Sequence, residues 1–435
     1  MIAILDLRSE HHTGTRLSRL LPRPGTDVAS AEAAAHQLVE DVRVRGEEAL
    51  LEQAERFDGL RPPAIRVPEA DLDQALEALD TTVRMALEEA IGRVREASAA
   101  QVPPERVTPI GDGAEIVQRW QPVSRVGLYV PGGKAVYPSS VVMNVVPAQV
   151  AGVRSIALAS PAQRAFGGAV HPVILGAARL LGIDEVYAMG GAGAVGAFAH
   201  GVESLGLDPV DVITGPGNVF VAAAKRAVKG IVGIDAEAGP TEILILADDT
   251  AEPRVVAADL ISQAEHDELA AAVLVTDSED FAARVTAELE RQVLATKHSE
   301  RVRAALVGLQ SAIVLVRDLD EGADVSNAYA PEHLEIQTAD PDSLLARIEN
   351  AGVIFVGRNA PVSLGDYLAG SNHVLPTGGQ SRFSSGLGTS TFLRPQQVVR
   401  YSADALAAVR SGIRVLSDAE DLPAHGDAVD ARFSH

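Results

Sequence analysis

Three segments of this chain combine side chains that can hold a cation or move a proton. In 259–266, Gln263 and His266 stand three residues apart in a stretch that reads as helix, so both project from one face. An imidazole nitrogen and an amide oxygen are donors that a divalent cation accepts, although the same pair taken alone suits an exposed helical surface better. A second segment sets Glu332 beside His333 directly after Pro331. Read as a loop, it lets both side chains reach one cavity, and a carboxyl–imidazole pair suits proton transfer because both groups can be tuned towards neutrality. The third places Asp366 and His373 around Gly365 and Gly370, whose backbone freedom suits a close approach to a ligand.

Three glycine turns form a different signal. Gly191, Gly193 and Gly196 match G-x-G-x-x-G after a strand candidate at 186–189 and open a helix, leaving N–H groups free for a phosphate. Asp211, about 20 residues on, stands at the start of a strand rather than at its end, where the dinucleotide fingerprint wants its acid. Gly215, Gly217 and Asn218 make a second strand-to-helix turn, in which Asn218 can serve as helix N-cap or touch a cofactor. Pro131, Gly132 and Gly133 make a third. Each could be a packing turn alone; together they point to a nucleotide site.

The elements that must position these residues follow from the hydrophobic pattern. Residues 28–99 read as helices. From 125 onward short apolar runs at 126–130, 156–159, 186–189 and 212–214 alternate with helical stretches near 170–181, 194–205 and 218–229. A second series of runs lies at 243–246, 273–275, 313–316 and 353–356. This βαβ rhythm predicts an α/β fold with two parallel-sheet units, a loop-rich stretch at 377–389 and a short helical tail. A chain of 435 residues, 47% hydrophobic, has enough apolar content for two or more cores, filled by aliphatic side chains because aromatics make up only 4%. The net charge of -22 works against nucleic-acid binding. No apolar stretch reaches membrane-spanning length and residues 1–20 show no signal-peptide pattern, so a cytoplasmic protein is expected. With no cysteine, thiolate metal ligands and a cysteine nucleophile are excluded.

Ordered motifs along nearly the whole chain resemble the histidinol dehydrogenase family: VRGEEAL at 44–50, RFDG at 56–59, GLYVPGG at 127–133, YPSSVVMN at 137–144, GPGN at 215–218, AGPTE at 238–242, SQAEH at 262–266, NAYAPEHLE at 327–335, and Gly365-Asp366 followed by NHVLP at 372–376. The resemblance implies two incomplete Rossmann-like domains in an intertwined homodimer. The implied division is an N-terminal arm at 1–24; a first domain at 25–128 with 243–380, carrying metal and acid/base residues; a cofactor domain at 129–242; and a tail at 381–435 reaching the partner subunit. It also implies one Zn²⁺ per subunit on Gln263, His266, Asp366 and His425, and Glu332 and His333 as the acid/base pair. Substrate contacts would come from Thr241, His373 and Glu420 as well as from the metal ligands and His333, and NAD contacts from Tyr129, Gly193 and Asn218. Three positions depart from the family pattern. Asp421 stands for a usual Gly, Thr241 for a usual Ser, and Gly193 for a usual Gln that would touch the nicotinamide nucleotide.

The implied reaction is a four-electron oxidation of L-histidinol to L-histidine through L-histidinal, the last steps of histidine biosynthesis. Without a thiol, the aldehyde must be oxidised as its hydrate, which needs a base for the alcohol proton and a base for water. A relative acting on another small polar alcohol, a zinc hydrolase using the same ligands, and an inactive binding protein of the same fold are the alternatives. Glu420, His373 and the EDLPAH ending at 420–425 favour the imidazole-bearing substrate, and the glycine turns disfavour hydrolysis.

Overall fold

The computed structural model describes residues 2–9, 14–23, 28–132 and 135–433. It divides into two units, Met1–Gln101 with Ser124–Phe392, and Val102–Val123 with Leu393–His435.

Two parallel sheets build the first unit. The larger has six strands in the order Ala3–Asp6, Ala312–Leu315, Ala271–Thr276, Glu242–Ala247, His333–Gln337 and Val353–Val356. Glu242–Ala247 and Ala271–Thr276 are buried at every residue, as strands covered by helices on both faces must be. Alternation splits their side chains. Ile243, Ile245 and Leu274 pack with Val256 and Leu260 of the helix Pro253–Ala264, while Leu244, Leu246 and Val273 pack with Val325 and Tyr329 of the helix Leu319–Tyr329. The smaller sheet has five strands in the order Val186–Ala188, Ser155–Ser160, Arg125–Tyr129, Val212–Thr214 and Gly233–Ile234, also parallel.

Placement differs from the expected ranges at several points, among them residues 102–123, expected in the 25–128 domain but grouped with the tail, whose unit begins at Leu393. The helices Val28–Arg45 and Glu47–Phe57 belong to the core of the five-stranded sheet, through Ala35, Val39, Val42 and Leu50 against Val195 and Phe198. Periodicity shows that a helix has a face to bury, but not which sheet will cover it. Ala3–Asp6, expected within an arm, is an edge strand in register with Ala312–Leu315 of its own chain. His333–Gln337, read as loop and punctuation, is an interior strand paired on both sides.

The connection between the sheets orients them. The chain leaves the carboxyl end of Gly233–Ile234 and enters the amino end of Glu242–Ala247 after only seven residues, 235–241. The carboxyl edge of the smaller sheet therefore lies near the amino edge of the larger one.

The second unit is an antiparallel sheet, Leu393–Tyr401 pairing Ala114–Pro122, which pairs Arg106–Gly111, together with the helices Ala403–Ala419 and Pro423–Asp430.

Candidate active site

Glu332 and His333 sit where the chain leaves the helix Leu319–Tyr329 and enters the strand His333–Gln337. The turn is tight: Ala330 ends the helix at φ 50°, a left-handed conformation costly for a residue with a Cβ, and Pro331 follows. A Cβ on Gly352 would come within 2.6 Å of the Glu332 carbonyl, so the neighbouring strand can close on this turn only with glycine there.

One short segment holds both side chains. The Glu332 carboxyl oxygen Oε2 accepts from the Thr241 hydroxyl at 2.6 Å and from the Glu242 N–H at 2.8 Å. The His333 Nδ1 lies 3.1 Å from the Glu242 carbonyl oxygen. A carbonyl can only accept, so Nδ1 carries the proton and Nε2 keeps the lone pair. Nδ1 is also 3.5 Å from Glu332 Oε2. Both residues are buried. Burial pushes the Glu332 carboxyl up to about 8, opposed by the Thr241 and Glu242 hydrogen bonds and reinforced by the charge of Asp366. Burial pushes His333 below the usual imidazole range, opposed by Asp366. A neutral imidazole beside a carboxyl poised near neutrality is a working acid/base pair.

Opposite them lie the donors of the first segment. The helix Pro253–Ala264 delivers the Gln263 side chain, 1% exposed, whose Nε2 donates to Thr241 Oγ1 at 2.7 Å. Its Oε1 is buried with no hydrogen-bond partner among the described residues. His266 Nε2 is 4.0 Å from Asp366 Oδ2, and burial lowers the His266 pKa. Asp366, at the end of the helix Val362–Tyr367, also lies 3.9 Å from His373 Nδ1, which is held at 3.0 Å by the Asp366 carbonyl. His373 Nε2 reaches Ser140 Oγ at 3.0 Å, and Asn372 Nδ2 donates to Met143 O at 2.7 Å. These two bonds join the Asp366 segment to the helix Pro138–Ala151 of the smaller sheet.

The glycine turns lie at the carboxyl edge of that sheet. Gly191 opens the helix Gly191–His200 at φ 60°, and its N–H points to the Tyr129 hydroxyl at 3.3 Å. Asn218 caps the helix Val219–Val228 by accepting from the N–H groups of Phe220 and Val221. A Cβ on Gly215 would come within 2.0 Å of Tyr129 O, at φ 116°. Gly193 faces the helix Glu47–Phe57, where an added Cβ would meet Gln53 Oε1 at 2.5 Å and Leu50 at 3.1 Å. Gly133 of the third turn lies outside the described residues.

Thr241, Gln263, His266, Glu332, His333, Asp366 and His373 thus come together in the first unit. Glu420 and His425 are exposed at the end of Ala403–Ala419 and in Pro423–Asp430 of the second unit. Among the described residues no three His, Asp or Glu side chains gather closely enough to hold a metal ion by themselves.

Several supporting residues left only faint traces in the sequence. Asn144, fully buried, interrupts an apolar helix; its Nδ2 donates to Ser140 O and its Oδ1 accepts from Thr214 Oγ1 at 2.7 Å. Lys225, 2% exposed in an alanine-rich helix, donates to Gly215 O at 2.5 Å and to Asp235 at 2.6 Å, while Asp235 accepts from the Gly215 N–H. This buried ion pair cradles the Gly215 turn. A polar residue inside an apolar helical run was the available signal for both.

A family model described as Histidinol dehydrogenase matches residues 21–433. The chain belongs to the histidinol dehydrogenase family. It is 70% identical over 429 residues to the histidinol dehydrogenase of Leifsonia xyli subsp. xyli (strain CTCB07), covering 99% of this chain and 98% of the relative. The histidinol dehydrogenase of Thermobifida fusca (strain YX) is 62% identical over 433 residues, covering 100% and 98%. The crystal structure of histidinol dehydrogenase from Elizabethkingia anophelis superposes with a TM-score of 0.92 at 31% identity, over 99% of this chain and 98% of that one. The family resemblance read from the motifs and the α/β fold with two parallel sheets are both borne out.

Proposed function

We propose that this chain oxidises L-histidinol to L-histidine through L-histidinal in histidine biosynthesis, with NAD accepting both hydrides and zinc holding the substrate. One observation carries the reading. The 241–242 segment fixes a buried acid/base pair facing an amide oxygen, an imidazole and a carboxylate, at the edge of a second sheet that ends in glycine turns. The buried, unpartnered Gln263 Oε1 is the atom that fits a cation, and His266 and Asp366 supply a nitrogen and a charged oxygen beside it. With His425 of the partner subunit as fourth donor, bound zinc would supply Lewis-acid stabilisation of negative charge at the carbinol oxygen.

The chain's own groups divide the proton work. His333, its Nδ1–H fixed on Glu242 O, takes the alcohol proton at Nε2. Glu332 takes the proton of the attacking water in the second oxidation. His373 and the partner subunit's Glu420 contact the substrate, and the Thr241 hydroxyl lines its binding site. Tyr129 and Asn218 contact the cofactor. At Gly193 no side chain is available, and the Gln53 amide fills the space beside it.

The second unit supports a homodimer with shared active sites, because Val409, Val415 and Leu416 on its helix Ala403–Ala419 and Leu422 in the following turn are all exposed. Mixing Glu332→Gln and His425→Ala subunits should restore activity in heterodimers; no recovery, with subunit exchange demonstrated, refutes the shared site. No described helix is long and apolar enough to cross a membrane, and we place the enzyme in the cytoplasm.

The deciding experiment follows NADH absorbance with zinc-loaded protein, with histidinol or histidinal as substrate. Chelation should abolish histidinol oxidation. Glu332→Gln should slow histidinal oxidation by about 10²-fold or more while affecting the first step less. Equal losses in both steps refute the division of labour, and activity unaffected by chelation refutes the metal's role.

A further inference from the structure

The peptide that holds the acid/base pair carries a buried acid of its own, pushed up to about 7 by burial and opposed by Arg23. Glu242 donates its N–H to Glu332 and offers its carbonyl to His333, and its side chain is 0% exposed. The carboxylate Oε1 accepts from the Gly378 N–H at 3.1 Å, but Oε2 has no hydrogen-bond partner among the described residues. Arg23 Nη1 stands 3.7 Å from that Oε2. The Arg23 guanidinium lies over the Tyr329 ring at 4.2 Å from its centroid, and neither terminal nitrogen has a hydrogen-bond partner among the described residues. Tyr329 is the last residue of the helix that leads into Glu332.

A buried carboxylate is tolerated only with a compensating charge or hydrogen bonds. Whenever the nearby Glu332 ionises, as it does on giving up its proton, the need is greater. Arg23 meets it from a segment remote in sequence. By stacking on Tyr329 it also ties the helix before Glu332 to the strand beginning at Glu242.

We propose that Arg23 and Glu242 form a positioning pair for the reaction. The guanidinium holds the Glu242 carboxylate in place, and this fixes the 241–242 peptide whose N–H and carbonyl aim Glu332 and His333. Both act on the acid/base pair through the backbone of Glu242. This inference rests on the reading of Glu332 and His333 as the acid/base pair.

The test uses the zinc-loaded full-length enzyme with Arg23→Met, Arg23→Lys, Glu242→Gln and the double variant Arg23→Met/Glu242→Gln, each checked for folding and oligomeric state. Arg23→Met should lower kcat for histidinol about tenfold or more with KM changed less than about twofold, because binding contacts are intact and aim is lost. Arg23→Lys should retain most of kcat. The double variant should recover to within about threefold of the parent, since a neutral amide needs no cation beside it. Losses that multiply in the double variant, an unchanged kcat in Arg23→Met, or a loss confined to KM each overturn the pair. Should Arg23→Met fail to fold, a folded and active double variant supports the pair, and an unfolded double variant overturns it. Glu332→Gln and His333→Asn run in parallel. Normal turnover in both refutes the acid/base reading, whereas inactivity in both with multiplicative losses refutes the positioning pair alone.

Discussion

The two parallel sheets meet the site with opposite edges and different materials. The five-stranded sheet presents its carboxyl edge, the usual ligand edge of α/β proteins, and does so with backbone: Gly191 and Gly215 in left-handed turns and helix N-termini behind them. The six-stranded sheet presents its amino edge and does so with side chains: Glu332 and His333 at the start of one strand, Thr241 and Glu242 at the start of its neighbour. A dinucleotide needs many weak N–H contacts from a concave backbone, whereas proton transfer needs a few side chains held by second partners. The edge used matters less than whether the local chain can supply that kind of group.

Substitutions can break or sharpen this contrast. Gly215→Ala should be the most damaging on the backbone side, since its Cβ would lie 2.0 Å from Tyr129 O at a φ that side chains rarely adopt. A loss on the order of 2–4 kcal/mol in denaturant unfolding is expected. An unchanged midpoint would show that the turn is not strained as described.

Gly193→Gln should cost about 1–3 kcal/mol through the clash with Gln53 Oε1 at 2.5 Å, and Gln53→Ser in the same chain should relieve most of it. Equal destabilisation with and without Gln53→Ser would refute the exchange of space. NADH titration of the relieved double variant would then show whether a Gln at 193 tightens cofactor binding.

The smallest effect concerns a buried acid pair behind the side-chain edge. Gln337 Nε2 donates to both Asp259 Oδ2 at 3.1 Å and Glu335 Oε2 at 2.8 Å. Burial first, and then the neighbouring Asp259, raises Glu335 well above the usual carboxylate range. The native state therefore keeps a proton that the unfolded chain releases. The stability tied to it is complete below the unfolded carboxylate pKa and is lost as pH rises through the raised folded value. Glu335→Gln should leave stability near pH 5 almost unchanged and raise it at pH 8.5 by about 1–2 kcal/mol. Parallel pH profiles of parent and variant would refute the linkage.

The sequence made the glycine-turn side more legible than the side-chain side in one respect and less in another. Strand-to-helix turns at Gly191 and Gly215 were readable because both stand directly between an apolar run and a helical one. The strand His333–Gln337 was not, because Glu335 and Gln337 break its apolar pattern although both are buried. Their burial depends on Asp259, 76 residues earlier than Glu335, and no local pattern contains that partner. For the same reason Gln263, Glu332 and Asp366 could be nominated singly from residue type, while their convergence needed the family resemblance or the fold. Arg23 gave no local sign, since its partner lies in a strand more than 200 residues away.

The hydrogen bonds from Asn372 and His373 to the helix Pro138–Ala151 have a mechanical consequence. In the proposed reaction two hydride acceptors are used in turn on one bound substrate, which would require the crevice to admit a fresh dinucleotide without spilling its contents. Any parting of the two sheets there must either snap those bonds or drag Asp366 along with the departing layer. The pair of bonds acts as a stitch, and a swing that spares it has to hinge on the stitched side and gape on the other.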